Sequence, residues 1–275
     1  EYIQHHLHHL QLSVGDGVFM KINLDTLFFT LLTGLVFLVL PLTALVARVQ
    51  WSTFLADVTS QAALSALLLS LGTGLVATVV CIIVGVPLAL YIARSGPRLA
   101  AVLRAVVTVP LVLPPMVGGV ALLYLFGRAG WLGGLGLSFS TPAVVLAQTF
   151  VALPFLVLAV EGAVRTSGVD YERTAAALGA GRWTILRRIT LPLAAPGIVA
   201  GVVLCFARAI GEFGATALFA GNRPGVTQTM TLAIYTAFNG AGVSQGTAVA
   251  LALLLLATAI VVLLLVRGWR PGVTR

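Results

Sequence analysis

The sequence predicts an all-α integral membrane protein with six transmembrane helices. Of its 275 residues, 59% are hydrophobic and only 9% are charged, and the mean hydropathy is +1.08. Soluble globular domains carry about 25% charged residues, so this composition excludes that class. Six apolar segments are each long enough to cross a bilayer, which takes about 20 residues. They are 26–47, 61–93, 104–127, 142–163, 193–218 and 245–267.

The second and third segments differ from a simple span. Segment 61–93 is longer than one crossing needs, which predicts a tilted or protruding helix. Pro110, Pro114 and Pro115 interrupt the third segment, and consecutive prolines remove backbone donors from a helix. Two interpretations stay open, a kink that serves packing and a bend that lines a pore.

Glycines inside the spans predict close contacts between helices. A residue without a side chain lets two backbones approach each other in lipid. These glycines are Gly72, Gly74, Gly118, Gly119, Gly197 and Gly201.

The basic residues predict the orientation in the membrane. The formal charge of +8 comes from 16 basic and 8 acidic residues, and the arginines flank apolar segments, which favours a membrane topology signal over nucleic-acid binding. One set of connections carries eleven arginines and the opposite set carries three. We therefore expect the loop 164–191 and both termini to be cytoplasmic, in a multi-pass plasma (inner) membrane protein. The connection 219–244 is then extracytoplasmic, with a short helix near 227–238.

The loop 164–191 contains a short polar helix that lies in water. Asp170 is a good N-cap, and Tyr171, Ala175 and Leu178 follow at helical spacing as one apolar stripe. Gly179 is placed to end the helix in the left-handed conformation. A helix of eight residues is marginal in water, so we expect its apolar stripe to bind a soluble partner.

This loop resembles the cytoplasmic signature of ABC importer permeases. Gly179 is followed after nine residues by Ile189, Leu191 and Pro192, as in that family. The position where the family has glutamate holds Arg173. The resemblance implies a coupling helix that docks on an ATPase subunit. The residues assigned to it are Asp170, Tyr171, Glu172, Arg173, Ala175, Leu178, Gly179, Ile189, Leu191 and Pro192.

Three further motifs are similar to molybdate permeases, over roughly residues 38–270. They are Val109–Gly119, Ala147–Phe150 and Phe206–Thr216. The resemblance implies a type I ABC importer permease fold in a transmembrane domain 26–270, which would translocate molybdate or a similar oxyanion. It also implies two cytoplasmic ABC ATPase subunits, a second permease copy and an extracytoplasmic molybdate-binding protein. Transport of tungstate, or of sulfate or thiosulfate, stays an alternative.

Two charges lie within the fifth predicted span. Arg208 and Glu212 are four residues apart, so their side chains can meet on one helix face. They form either a structural ion pair or part of the translocation path, since charges at membrane depth are costly unless paired or wet. We assign Pro114, Pro115, Arg208, Glu212 and Phe213 to the path or its gate.

The sequence contains no catalytic motif. It has no Walker lysine motif, no glycine-rich phosphate loop before a helix and no Ser/His/Asp set. We therefore expect a transport subunit that is not an enzyme, with no cofactor and no metal. ATP hydrolysis would belong to the partner.

The leader 1–25 is atypical of permeases. Residues 1–12 and 22–29 resemble the N-terminus of the ATP synthase a subunit, which makes a proton-channel component a rival hypothesis. Nothing after residue 40 resembles that family, which favours a fusion, natural or engineered. All four histidines lie here (His5, His6, His8 and His9), and we expect no metal site because no second cluster supplies ligands. Residues 271–275 form a short tail.

Overall fold

The computed structural model describes residues 10–14, 18–22 and 24–268. The four leader histidines and the tail 271–275 lie outside the described residues. The chain divides into two compact units, residues 1–49 and 50–275. The proposed boundary of the leader at residue 25 stays a prediction.

The first unit contains a hairpin and one long helix. Strands β1 (Leu10–Val14) and β2 (Val18–Ile22) pair antiparallel, with Leu10 opposite Ile22. Helix α1 spans Leu24–Ala47, close to the predicted 26–47. The hairpin was not predicted, although the alternation of apolar with other residues along Leu10–Val14 is a strand signal.

In the described part of the second unit, the regular elements are all helices. Its helices are α2 (Phe54–Val58), α3 (Gln61–Arg94), α4 (Pro97–Val112), α5 (Pro115–Phe126), α6 (Thr141–Thr166), α7 (Asp170–Ala177), α8 (Arg182–Ile185), α9 (Leu191–Ile210), α10 (Gly214–Phe219), α11 (Met230–Phe238) and α12 (Gln245–Gly268). A single 3₁₀ turn lies at Gly133–Leu135, and a π segment at Leu186–Thr190 joins α8 to α9. The all-α class is confirmed for the second unit.

Helices α3, α6 and α9 form the core through small residues. A Cβ placed on Gly197 of α9 would lie 2.2 Å from the Cβ of Ala163 on α6, and one on Gly201 would lie 2.9 Å from that of Ala159. The backbones of α6 and α9 are therefore in close contact, as the glycine pattern predicts. Gly72 differs, because a Cβ there would meet no described atom within 4 Å.

Within the described residues, five helices are long and apolar enough to cross a membrane. Helices α4 and α5 together make a sixth if they count as one broken span, and they are bent by 107° across Leu113 and Pro114. The predicted interruption of the third span is confirmed. The predicted end of the fifth span at residue 218 is wrong, because α9 ends at Ile210 and α10 starts only at Gly214.

Candidate functional site

The polar loop folds into two short helices separated by a tight turn. Gly179 has φ +87°, a conformation that L side chains rarely adopt. The amide of Gly179 donates to the carbonyl of Ala176 and that of Ala180 donates to Ala175, both at 3.0 Å. This pair of bonds is a Schellman motif, so the predicted glycine stop of α7 is confirmed.

The start of α7 differs from the prediction. The N-cap position is Val169, and Asp170 is already the first helical residue, with no side-chain cap bond. Helix α7 therefore begins one residue earlier than the N-cap pattern suggests. The carboxylate of Asp170 still lies in the first turn, where a negative charge interacts favourably with the helix dipole.

One face of α7 is apolar and open. Tyr171 and Leu178 are 67% and 84% exposed, and apolar residues exposed together outside the membrane spans are typical of an interaction surface. Together with Ala175, Ile189 and Pro192 they border a cavity of about 470 Å³. The structure thus brings the predicted stripe and the Ile-x-Leu-Pro segment together on one surface.

The opposite face of α7 turns towards the ends of other helices. Glu172 pairs with Arg94, the last residue of α3, and accepts a hydrogen bond from Thr190 Oγ1 at 2.6 Å. Arg173, where the family has an acid, borders a second cavity beside Glu172 and Arg182. Glu172 and Arg173 therefore lie on a different face of α7 from the apolar stripe.

The breaks in the third and fifth spans meet each other. A Cβ on Gly214, the first residue of α10, would lie 3.2 Å from the Cβ of Pro115, the first residue of α5. A Cβ on Gly119 would lie 2.8 Å from the Cα of Ala215. A larger residue at either position would come too close to the other helix, so these two glycines allow α5 and α10 to pack closely.

Glu212 lies at the centre of this junction. Its side chain is 1% exposed, and Nη2 of Arg208 lies 2.8 Å from its Oε2 in ionic contact. Its Oε1 accepts a hydrogen bond from the backbone amide of Ala215 at 2.8 Å, and its carbonyl accepts one from Thr231 Oγ1 at 2.7 Å. The expected pairing with Arg208 is present, but the expectation of one continuous helix is wrong. The chain leaves the helix at Gly211, and the carboxylate binds the first turn of α10 instead.

Phe213 extends the junction to α11. Its ring lies 4.9 Å from that of Tyr235, centroid to centroid. The predicted short helix near 227–238 is confirmed as α11 (Met230–Phe238), and its first residue is buried. Pro114, Pro115, Arg208, Glu212 and Phe213 thus belong to one neighbourhood, whose role in a translocation path stays a prediction.

Sequence reasoning missed three buried polar side chains. Glu161 of α6 is 3% exposed and binds the guanidinium of Arg104 on α4. Gln148 and Thr216 are also buried, and their polar side-chain atoms have no hydrogen-bond partner in the described part of the chain. Both lie in motifs that the resemblance had singled out, which was the available signal. Among the described residues, no group of three or more His, Cys, Asp or Glu side chains is placed to hold a metal ion.

Comparisons with known proteins agree with this architecture. Residues 85–275 match the model of the family described as binding-protein-dependent transport system inner membrane component. The molybdenum transport system permease protein ModB of Mycobacterium tuberculosis is 51% identical over 246 residues, which cover 87% of this chain and 92% of that protein. The protein of the same name from Escherichia coli K12 is 39% identical, over 76% of this chain and 94% of its own length.

Solved structures show the same fold. A chain of the MetNI methionine ABC transporter in an inward-facing conformation aligns with TM-score 0.61 and 20% identity, over 79% of this chain and 100% of that chain. A chain of a bacterial ABC transporter that imports alginate aligns with TM-score 0.64 and 18% identity, over 91% and 95%. The fold is therefore that of ABC importer permeases, as the resemblance implied. With its apolar spans and its match over residues 85–275, the chain belongs to the family of inner membrane components of binding-protein-dependent transport systems.

Proposed function

We propose that this chain is the membrane-spanning subunit of an ATP-driven importer for molybdate or a similar tetrahedral oxyanion. The observation that carries the proposal is the 51% identity, over 87% of the chain, to a protein named as a molybdenum transport permease. The likeness covers most of both chains, whereas fold alone would not define a substrate. The chain itself supplies no hydrolytic chemistry, so ATP hydrolysis is the task of a partner.

The partner surface is the apolar stripe of α7. Tyr171, Ala175 and Leu178 form a helical face with an adjoining cavity, and a groove in an ATPase could bury it. Because one chain carries one such helix, we infer two permease copies and two ATPase subunits. When ATP closes the ATPase pair, the two α7 helices are drawn together and the bundles rock.

The path is formed where the two broken spans meet. Arg208 is 25% exposed, whereas its partner Glu212 is buried, so the guanidinium is the accessible member of the pair. An accessible guanidinium attracts a passing oxyanion, and the neighbouring carboxylate prevents tight retention. Broken helices are also where transporters place their substrate sites.

The orientation follows from the arginine distribution. We infer that α7, α8 and both chain termini are cytoplasmic and that the segment with α11 faces the outside, where a binding protein would deliver the anion.

The test is uptake into proteoliposomes that contain the permease, its ATPase and its binding protein. We expect ATP-dependent uptake of labelled molybdate that excess unlabelled tungstate or molybdate suppresses, with sulfate and thiosulfate weaker. Sulfate as the strongest competitor would reassign the substrate, and absence of uptake of any of these anions would overturn the proposal. Co-purification provides a second measurement: an ATPase pair is expected, whereas a ring of c subunits would support the proton-channel alternative.

A further inference from the structure

A cavity of about 560 Å³ lies beside the polar face of α7. It is bordered by the end of α3, by α7, by α8 and by the π segment, so it forms where four elements converge. We propose that this cavity binds a tetrahedral oxyanion group of the phosphate class, either free or as the headgroup of an anionic lipid. The site is separate from the translocation path and from the apolar stripe.

The cavity carries an excess of positive charge. Its charged lining consists of three guanidinium groups and one carboxylate, from Arg94, Arg173, Arg182 and Glu172. The carboxylate is already engaged by Arg94 and by the Thr190 hydroxyl. Arg173 and Arg182 form no ion pair with any carboxylate in the described part of the chain. Two guanidinium groups at the cavity therefore lack a counter-charge.

The chemistry of these groups selects the ligand. A guanidinium presents its donors as a planar fork that fits two oxygens of a phosphate, and such charge-assisted pairs are about twice as strong as neutral hydrogen bonds. Thr190, which is buried, also borders the cavity, but its hydroxyl proton is donated to Glu172, so the donors for an anion are the guanidinium groups. A single carboxylate could satisfy one guanidinium, whereas a tetrahedral anion with more acceptor oxygens can bridge Arg173 and Arg182.

The geometry separates this site from the proposed ATPase contact. Successive residues of a helix are rotated by about 100°, so Glu172, Arg173 and Ala176 point away from Tyr171, Ala175 and Leu178. The cavity thus lies on the side of α7 that faces the helix bundle, away from the apolar stripe. Arg173 determines the net charge of the cavity, because an acid at that position would bring the sum of the four lining charges to zero.

Two sources can supply such a group. Arg94 is the last residue of α3, a helix long enough to cross the membrane, and an anionic lipid headgroup is one source of a phosphate group at the end of such a helix. The same opening admits free phosphate from the aqueous side. The experiment separates the two sources by offering each one alone.

The test uses the full chain in complex with its ATPase, as wild type and as Arg173→Gln, Arg182→Gln and Arg187→Gln. Glutamine keeps most of the side-chain length and removes the charge. Arg187 lies on the π segment but does not border the cavity, so it is the matched control. In detergent, binding of inorganic phosphate is measured by calorimetry. In nanodiscs of phosphatidylcholine with or without phosphatidylglycerol, retained lipid is measured by native mass spectrometry.

We expect wild type and Arg187→Gln to bind alike, and each cavity variant to bind about tenfold more weakly, the loss of one charge-assisted contact. Weakening in the phosphate arm identifies a free anion, and weakening in the lipid arm identifies a headgroup. Equal binding by all four proteins in both arms overturns the proposal. It is also overturned if binding appears only after the ATPase is removed, since an acidic side chain of the ATPase would then occupy the cavity. Because neither probe is the transported anion, this result does not depend on the outcome of the uptake experiment.

Discussion

Arg104 on α4 donates from Nε to both carboxylate oxygens of Glu161 on α6, at 3.2 and 3.1 Å. The Glu161 side chain is 4% exposed and that of Arg104 is 37% exposed. This ion pair connects α4, the first half of the broken span, to the central helix α6. Arg165 contacts the same carboxylate at 3.3 Å from a more exposed position.

Glu161→Gln should lower the free energy of unfolding by about 2 kcal/mol. The amide keeps one acceptor but loses the charge, and hydrogen bonds to charged groups contribute about 1.5–3 kcal/mol. The measurement is the thermal midpoint of the purified transporter. Arg165→Gln is the matched control, because it removes a positive charge that contacts the same carboxylate. The Arg165 side chain is 56% exposed, and an ion pair at such a position contributes little. If both variants unfolded alike, the Arg104 contact would not be the one that stabilises the helix pair.

Gly179→Val should uncouple ATP hydrolysis from uptake while the protein still assembles. A Cβ at Gly179 would meet nothing within 4 Å, so the cost arises from the left-handed backbone, about 1–2 kcal/mol. Relief of that strain would change the backbone direction at the end of α7 and so move the apolar stripe. Uptake and ATPase activity are measured in the same proteoliposomes.

Two controls refine the Gly179 test. Gly179→Asn should be milder, because asparagine tolerates positive φ better than valine. Gly181→Ala should behave as wild type, since Gly181 has φ −69° and open space for a Cβ. Normal uptake by Gly179→Val would refute a role of this turn in coupling.

Arg208→Ala should reduce uptake more than assembly. The variant removes the accessible cation of the junction, while Glu212 keeps its bond to the Ala215 amide and so still fixes the start of α10. Uptake rate and the yield of assembled complex are the two measurements. Glu212→Gln is the informative companion, because it keeps an acceptor for Ala215 and removes the charge. Loss of assembly in Arg208→Ala, with unchanged uptake per assembled complex, would identify the pair as purely structural.

Local sequence signals predicted local structure well and tertiary pairing poorly. The prolines at 110, 114 and 115 predicted the break between α4 and α5, and Gly179 predicted the end of α7, because backbone chemistry acts within a few residues. The break after Ile210 was missed because apolar residues continue on both sides of it. Gly211 and Gly214 on either side of Glu212 were the available signal.

Contacts between segments that are far apart along the chain could not be predicted from the sequence. Arg104 and Glu161 are 57 positions apart, and nothing in their own neighbourhoods indicates that α4 packs on α6. The ionic contact between Arg208 and Glu212 was predicted from their spacing, but the bond from Ala215 to the same carboxylate depends on where the chain leaves the helix. Likewise, the partners of Glu172 on the polar face of α7 are Arg94 and Thr190, which are 78 and 18 positions away.

Gly119→Ala should disrupt the junction of the two broken spans. The new methyl group would lie 2.8 Å from the Cα and 2.9 Å from the carbonyl oxygen of Ala215, both backbone atoms that cannot rotate away. Overpacking of this kind costs about 1–3 kcal/mol, and relief requires α5 and α10 to separate. We expect a lower thermal midpoint together with reduced uptake.

Gly72→Ala is the matched control for Gly119→Ala, since its methyl group would meet nothing within 4 Å in the described part of the chain. Gly118→Ala should fall between the two, because its methyl group meets only the ring of Phe150, at 2.8 Å, and a side chain can shift. Wild-type behaviour of Gly119→Ala would show that close contact between α5 and α10 is not required for transport.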